Sequence, residues 1–595
     1  MDAAGTNLDK LALLPAFLTT GFIAMAMWLM VSQLKQTYRD HRLAKYGLLP
    51  GALGATVLAL ALRLMLSPCA PYHAEGSAYF FLDSACSDIF LSQAMTFYGH
   101  SAPSLYRLVH WFLPFGDITV FGLNLLLGSI SAGLVFALTH TLSKDFLEAS
   151  IAGALFALYP SLIRLSCSEV YVTSLLFWWL VALNVAVRLH ENSQWRDWTL
   201  LLTSLCLAIH SRPSGLLILG PIGLVLLPLL RKNPKILLGL AIVGLACINP
   251  LFYLGERSAN YHLSEHQNFI SWLLRGFLAG SNQNPTLNPV LTPLLTHPIA
   301  QFLGLALLLW RRKFSLFLGL FAFQYALTWV YSSPGIAVAL YQTLRLFSTT
   351  TPIACILSAL AIGSLIRAIP IRSPRFRIAL SSTIILGSLA PFAAGYHTLI
   401  TYEPNLEQEY RVIEKGIERL PVKATVLLPG QKESGGLVTP FGFPRCLAEP
   451  QGKKLRVIYD QSEPWRTLAP EEEESFLFIG LNCFMVPINP ERFPVEYPAS
   501  TLDIQWDIQH APDRPVPAQI ENYGRTLITH RTRPDYMSSR CAELFERYEL
   551  TPLFVREVEN RPSQWFSVSP EELRFGFYKI KGSKTPKRKE EKIKH

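Results

Sequence analysis

The chain has 595 residues, of which 50% are hydrophobic and only 16% charged, and its mean hydropathy is +0.28. That composition excludes an ordinary soluble globule. The net charge of +10 does not signal nucleic acid, because the basic residues stand in short clusters between apolar segments, with no zinc spacing or basic recognition stripe.

In chain order, the first apolar segment is Leu11–Leu34, which carries no charge. A bilayer needs about 20 apolar residues. The segment is too long for the core of a signal peptide and lacks a basic front, so it is expected as a retained helix. Gly47–Leu66 follows with Arg63 as its one charge, placed near the far end where it is expected to snorkel to the interface. Further spans are expected near 118–142, 147–160, 170–189, 199–209, 215–230, 236–254, 299–310, 314–330, 349–366 and 378–396. The total is about twelve crossings.

Basic residues mark every second connection: Lys35–Lys45, the Lys144-Asp145 turn, Arg188–Trp198, Arg231–Lys235, Arg311–Lys313 and Arg367–Arg377. By the positive-inside rule these are cytoplasmic. Ser67–Asp117, Ser161–Glu169, His210–Ser214, Gly255–Pro298, Tyr331–Ser348 and both termini then face outward. The protein is expected in the inner (cytoplasmic) membrane of a cell, with these loops extracytoplasmic.

After Tyr396 the hydropathy collapses. Leu406, Tyr410, Ile413, Ile417 and Leu420 recur at helical spacing up to Pro421. Strands are expected at Ala424–Leu428, Leu455–Tyr459, Phe476–Ile479 and Phe575–Ile580, and a helix at Ser539–Tyr548. This alternation predicts a small α/β domain. The organisation is therefore an additional helix and cytoplasmic link over 1–46, a membrane domain over 47–396 with outer loop 67–117, a soluble extracytoplasmic α/β domain over 397–580, and a basic disordered tail over 581–595. Of the cysteines, Cys206, Cys247 and Cys355 fall within spans as packing residues. Cys69 with Cys86, and one pair among Cys446, Cys483 and Cys541, are open to bridging in an oxidising exterior.

The chemistry-bearing residues gather on the outward side. The first outer loop carries Glu75, Asp83 and Asp88, with His73, His100 and several aromatics. A carboxylate there can take the proton of an incoming hydroxyl or amine; Asp83 and Asp88 equally suit the start of short helices. Glu169 sits where Pro160-Ser-Leu-Ile-Arg164-Leu-Ser-Cys-Ser-Glu169 meets the next span, with Arg164 a natural partner. Arg212 and Arg345 face outward against the positive-inside trend, and such arginines either snorkel or hold a phosphate bidentately.

A span, an acidic outer loop, and then Gly99-His-Ser-Ala-Pro103-Ser-Leu-Tyr106 leading through Phe115-Gly116 into a long Leu/Gly-rich span together resemble the GT-C glycosyltransferases. In layout the nearest are the protein O-mannosyltransferases and the lipid A aminoarabinose transferases. Ala152-Gly-Ala-Leu-Phe-Ala-Leu-Tyr-Pro160 followed by Glu169 is similar to the family stretch with a second acid. Arg212-Pro213 and the Arg345 to Pro352 segment resemble positions near the lipid phosphate. The family's adjacent pair of acids is absent. Glu75 stands at the family distance from the Gly/Pro segment, Asp88 at the family spacing to the helix from Ala94, and Asp83 between them.

The resemblance implies an inverting transferase that moves a sugar from a polyprenyl-phosphate-linked donor to a lipid, glycan or protein acceptor at the outer face. Asp88, Glu75, Asp83 and Glu169 are its catalytic candidates, and Arg212 and Arg345 its lipid-phosphate ligands. No cofactor is implied; a divalent metal held by these acids with His73 or His100 stays open, although their spacing matches no standard site. Two alternatives also stand. One is a transporter or flippase, against which the chain shows no internal repeat. The other is a non-catalytic membrane scaffold.

Overall fold

The computed structural model describes residues 19–33, 47–68, 100–110, 112–113, 117–168, 170–190, 194–212, 215, 348, 351–369, 373–389, 405–430, 452–459, 474–480, 518–522, 525–529, 545, 548–559 and 572–583, with scattered positions between 222 and 306. The chain divides into two compact units, in the main residues 1–402 and 403–595.

The first unit is helical. Residues 19–33 are helix, and after them come α1 (Leu48–Leu66), α2 (Ser101–His110), α3 (Asp117–Ser143), α4 (Phe146–Ala157), α5 (Pro160–Ser168), α6 (Val170–Leu189), α7 (Trp195–Ser211), α8 (Thr351–Ala368) and α9 (Pro374–Leu389). Among the described residues, four helices are long and apolar enough to cross a membrane, or five if the bent pair α4–α5 is one span. The expectation of about twelve therefore extends beyond what is described: the spans near 215–230, 236–254, 299–310 and 314–330 fall largely or wholly outside the described residues.

Helix α6 is the centre. Leu175 through Leu183 are all nearly inaccessible, including Trp178 and Trp179, as a helix apolar on all sides must be when protein surrounds it. On α1 the buried residues are Ala55, Ala59 and Arg63, one face at four-residue spacing, while Leu53, Val57, Leu64 and Met65 are exposed. Small residues on that face let α1 and α3 approach closely. A side chain added at Gly133 would meet the Ala52 carbonyl, and one at Gly128 would come within 3.2 Å of Arg63 Nε.

Helices α3 and α4 are joined by a turn in which Lys144 adopts φ 57°. The Asp145 carboxylate caps α4 by accepting from the Glu148 N–H at 2.9 Å, filling one of the donors that a helix start leaves open. Arg367 of α8 bonds both Asp145 and Glu148, and Ser364 donates to Glu148 at 3.3 Å. Asp197 of α7 pairs with Arg188 of α6 and accepts from Gln33 at 2.6 Å. This end of the bundle is thus tied by ion pairs with acids.

The outward connection expected at Ser161–Glu169 is helical over most of its length, as α5, bent by 56° from α4. Proline opens a helix readily, since the first turn has no use for its missing N–H. One expectation is corrected here: Arg63 does not snorkel, because its side chain is fully buried inside the protein.

The second unit has one described helix, α10 (Asn405–Arg419), and strands β1 (Thr425–Gly430), β2 (Lys454–Tyr459), β3 (Ser475–Ile479), β4 (Ala518–Asn522), β5 (Arg525–Thr529), β6 (Tyr548–Glu559) and β7 (Glu572–Ser583). Five of them form a mixed sheet in the order β2-β1-β3-β7-β6. The β1 pairings with β2 and β3 are parallel, with Thr425 opposite Lys454 and Ser475, and the β3–β7 and β7–β6 pairings are antiparallel. Strands β4 and β5 form a separate hairpin. Tyr410, Ile413 and Ile417 of α10 are buried, and Gly416 lies against the Phe577 ring of β7. Arg419 sits 4.4 Å over the Phe554 ring of β6.

Of the helix expected at Ser539–Tyr548, Phe545 is helical and 539–544 lie outside the described residues; its last residue, Tyr548, instead opens strand β6. Pro552 and two register irregularities interrupt the alternation of β6, which hid the strand.

Candidate active site

At the end of the bundle away from Arg367, buried polar side chains meet from six helices. Arg63, in the last turn of α1, donates from Nε to Ser166 Oγ of α5 at 2.8 Å and from Nη1 to the carbonyls of Ala59 (3.2 Å) and Ala157 (3.4 Å). Ser166 in turn donates to the Leu162 carbonyl. Beside them on α3 is Gly128, and one turn earlier Asn124 accepts from the Tyr106 hydroxyl of α2 at 2.5 Å. Just before α2, His100 faces His210 of α7, with ring centroids 6.2 Å apart. Ser211 then hydrogen-bonds Ser174 of α6 at 2.9 Å.

Arg212 closes α7 in extended conformation. Its N–H bonds the Ala208 carbonyl at 3.4 Å, and its own carbonyl accepts from Gly215 at 2.8 Å. A side chain at Gly215 would strike the Ala208 carbonyl at 2.6 Å, so the return after Arg212 requires glycine. Arg63, Arg164 and Arg212 are 0%, 1% and 6% exposed, and His100 and His210 are each 2%.

Guanidinium groups stay charged when buried, and three of them, Arg63, Arg164 and Arg212, are buried at this end of the bundle. His100 behaves otherwise: burial first, and then the neighbouring His210, hold it down at about 4. At neutral pH it is an uncharged imidazole, offering one donor and one acceptor. Among the described residues no three His, Cys, Asp or Glu side chains gather as metal ligands.

Of the candidate catalytic and lipid-phosphate residues, only Arg212 lies within the described part; His100 and Arg164, also singled out by sequence, are described and buried as well. The Arg212 side chain is buried inside the protein. Glu75, Asp83, Asp88, Glu169, Arg345 and His73 lie outside the described residues. Sequence reasoning missed Arg63. A signal existed, since Arg63 continues the row Gly51, Ala55, Ala59 at four-residue spacing, and a charge in line with a small-residue stripe points at the neighbouring helix.

No family model matches the chain, and no curated protein matches it. Among solved structures it is similar to the archaeal oligosaccharyltransferase AglB from Archaeoglobus fulgidus in complex with an inhibitory peptide and a dolichol-phosphate, at 14% identity and TM-score 0.40, covering 65% of this chain and 62% of that one. The chain thus spans less than two thirds of that enzyme's length. It is also similar to ArnT from Cupriavidus metallidurans bound to undecaprenyl phosphate, at 12% identity and TM-score 0.42, covering 72% of this chain and 92% of that one. A likeness at these scores carries no argument, and the functional reading rests on the residues of this chain.

Proposed function

We propose that the protein is a membrane glycosyltransferase of the GT-C class, moving a sugar from a polyprenyl-phosphate-linked donor to an acceptor at the extracytoplasmic face of the inner membrane. The observation that supports this most is the gathering of buried Arg63, Arg164 and Arg212 with His100 and His210 at one end of the helical unit. The segment bearing Glu75, Asp83 and Asp88 leaves from the end of α1 and returns at His100. Both of its anchors therefore stand at the cationic end. Glu169 is the single residue between Ser168, which ends α5, and Val170, which starts α6.

Such an arrangement suits a displacement at an anomeric carbon. A carboxylate from Glu75, Asp83 or Asp88 takes the proton of the acceptor's hydroxyl or amine, whose lone pair attacks the anomeric carbon. The bond from that carbon to the phosphate oxygen breaks, its electron pair leaves with the polyprenyl phosphate, and the configuration inverts. Arg212 and Arg345 hold the phosphate, on which negative charge grows as the bond breaks; fixed cations in a water-poor site stabilise that charge more than water does. Glu169 orients the acceptor.

Purified protein in nanodiscs, given a panel of labelled polyprenyl-phosphate sugars, tests the reading. Glu75→Gln, Asp83→Asn and Asp88→Asn are compared singly; loss of the general base lowers transfer by about a hundredfold or more in one of them. Full activity in all three would sink the assignment. Normal behaviour of a Glu169→Gln, Arg345→Ala double variant would point to a scaffold.

A further inference from the structure

The α4–α5 bend has a specific brace. Ala157 is the last residue of α4, and the carbonyls at a helix C-terminus lack the partners that a continuing helix would give them. Here the Leu158 N–H returns to Ala154 and the Tyr159 N–H to Phe156, while the Ala157 carbonyl accepts from Arg63. The same guanidinium reaches Ser166 of α5 through Nε. One side chain of α1 therefore touches both arms of a helix pair bent by 56°.

The fit leaves little slack. Arg63 has no exposed surface, and Gly128 of α3 provides the wall: a methyl group there would lie 2.7 Å from Ser166 Oγ and 3.2 Å from Arg63 Nε. Arg164 projects from the braced helix, and Glu169 follows directly after it.

We propose that Arg63 is a positioning residue that fixes the α4–α5 bend, and through it the placement of Arg164 in the candidate active site. Its activity arm rests on the glycosyl-transfer reading; its structural arm does not. The bond directions diverge, from Nε towards Ser166 and from Nη1 towards the two carbonyls, so the planar fork is needed and charge alone does not suffice.

The test compares wild type with Arg63→Gln, Arg63→Lys, Ser166→Ala and Gly128→Ala in nanodiscs, using the full chain. Cryo-EM reads the bend. In Arg63→Gln and Arg63→Lys it should change by more than about 15°, beyond the ordinary scatter of helix packing angles. An unchanged bend in both overturns the inference whatever the activity. With labelled polyprenyl-phosphate sugar, both variants should lose about a hundredfold in kcat while KM for the donor stays within about threefold. Transfer fully restored in Arg63→Lys, or a loss confined to KM, would make Arg63 a phosphate ligand acting by charge and overturn the positioning role. If Arg63 variants do not fold, Ser166→Ala and Gly128→Ala carry the test: each should lower kcat and shift the bend in the same direction, and neither effect in either variant overturns the inference. Should wild type transfer no sugar from any donor while the bend still shifts in the variants, the glycosyl-transfer reading falls and the brace stands.

Discussion

His100 is the residue whose environment most changes its chemistry. Its pKa lies at about 4 against an ordinary 6.5, chiefly through burial and secondarily through His210. Between those values the unfolded chain binds a proton there that the folded protein refuses. The stability contributed by keeping His100 neutral is therefore complete above pH 6.5 and is lost as pH falls towards 4. The effect is at most about 3 kcal/mol. Thermal unfolding in detergent at pH 7 and pH 4.5 should show wild type losing several degrees more than His100→Gln over that interval. Equal losses would mean that the imidazole is solvated in solution. Arg63 and His100 also show the limits of reading single residues from sequence. A lone arginine near the end of an apolar span reads as snorkelling, and only the register of α1 against Gly128 and Gly133 turns it inward. That register is a tertiary fact.

At the scale of elements, ion pairs with named acids secure one end of the bundle. Arg367 joins α8 to the start of α4 through Asp145 and Glu148, and the Glu148 side chain is fully buried. Gly363 packs against Glu148, where a methyl group would lie 2.4 Å from the Glu148 side chain. Removing one partner strands the other charge, and for buried pairs that costs about 3–5 kcal/mol. The partial exposure of Arg367, at 29%, puts the expected loss for Arg367→Met near the lower bound, about 3 kcal/mol. The paired variant Arg367→Met, Glu148→Leu should recover most of it. Apparent Tm or resistance to SDS measures both, and an Arg367→Met protein as stable as wild type would refute the account.

The elements themselves were readable to different degrees. Helix α10 and strands β1, β2, β3 and β7 stand where periodicity places them, because each carries an unbroken apolar pattern. Strand β6 escaped because Pro552 and its irregular register break the alternation, and the β4–β5 hairpin because Ala518–Asn522 is too polar to read as a strand. Helix α5 reads in the sequence only as a connection, because its nine residues mix serine, cysteine and arginine with few apolar positions. These are sequences whose structure is set by neighbours rather than by their own pattern.

Over the whole molecule, each unit has buried apolar residues of its own. The large apolar cluster runs from Ile23 through α3, α4, α6, α7 and α8 to Ile385, all within the first unit. Tyr410, Ile413, Val426, Phe476, Phe478, Phe575 and Phe577 are buried in the second. Among the described residues the large cluster is drawn from the first unit alone, so a chain ending at Tyr402 keeps it, together with the bond between Arg63 and Ser166. Under the proposed reading, the lipid phosphate is held by arginines of the first unit, whereas acceptor recognition is assigned to the second unit and to residues 255–298. The truncated protein should therefore insert, remain monodisperse and bind undecaprenyl phosphate within about threefold of the full chain, a difference of less than 1 kcal/mol, yet fail to transfer sugar. Normal transfer by the truncated protein would make residues 403–595 an accessory and move acceptor recognition into the membrane unit; lost lipid binding in a well-folded truncation would mean that the phosphate site needs both units.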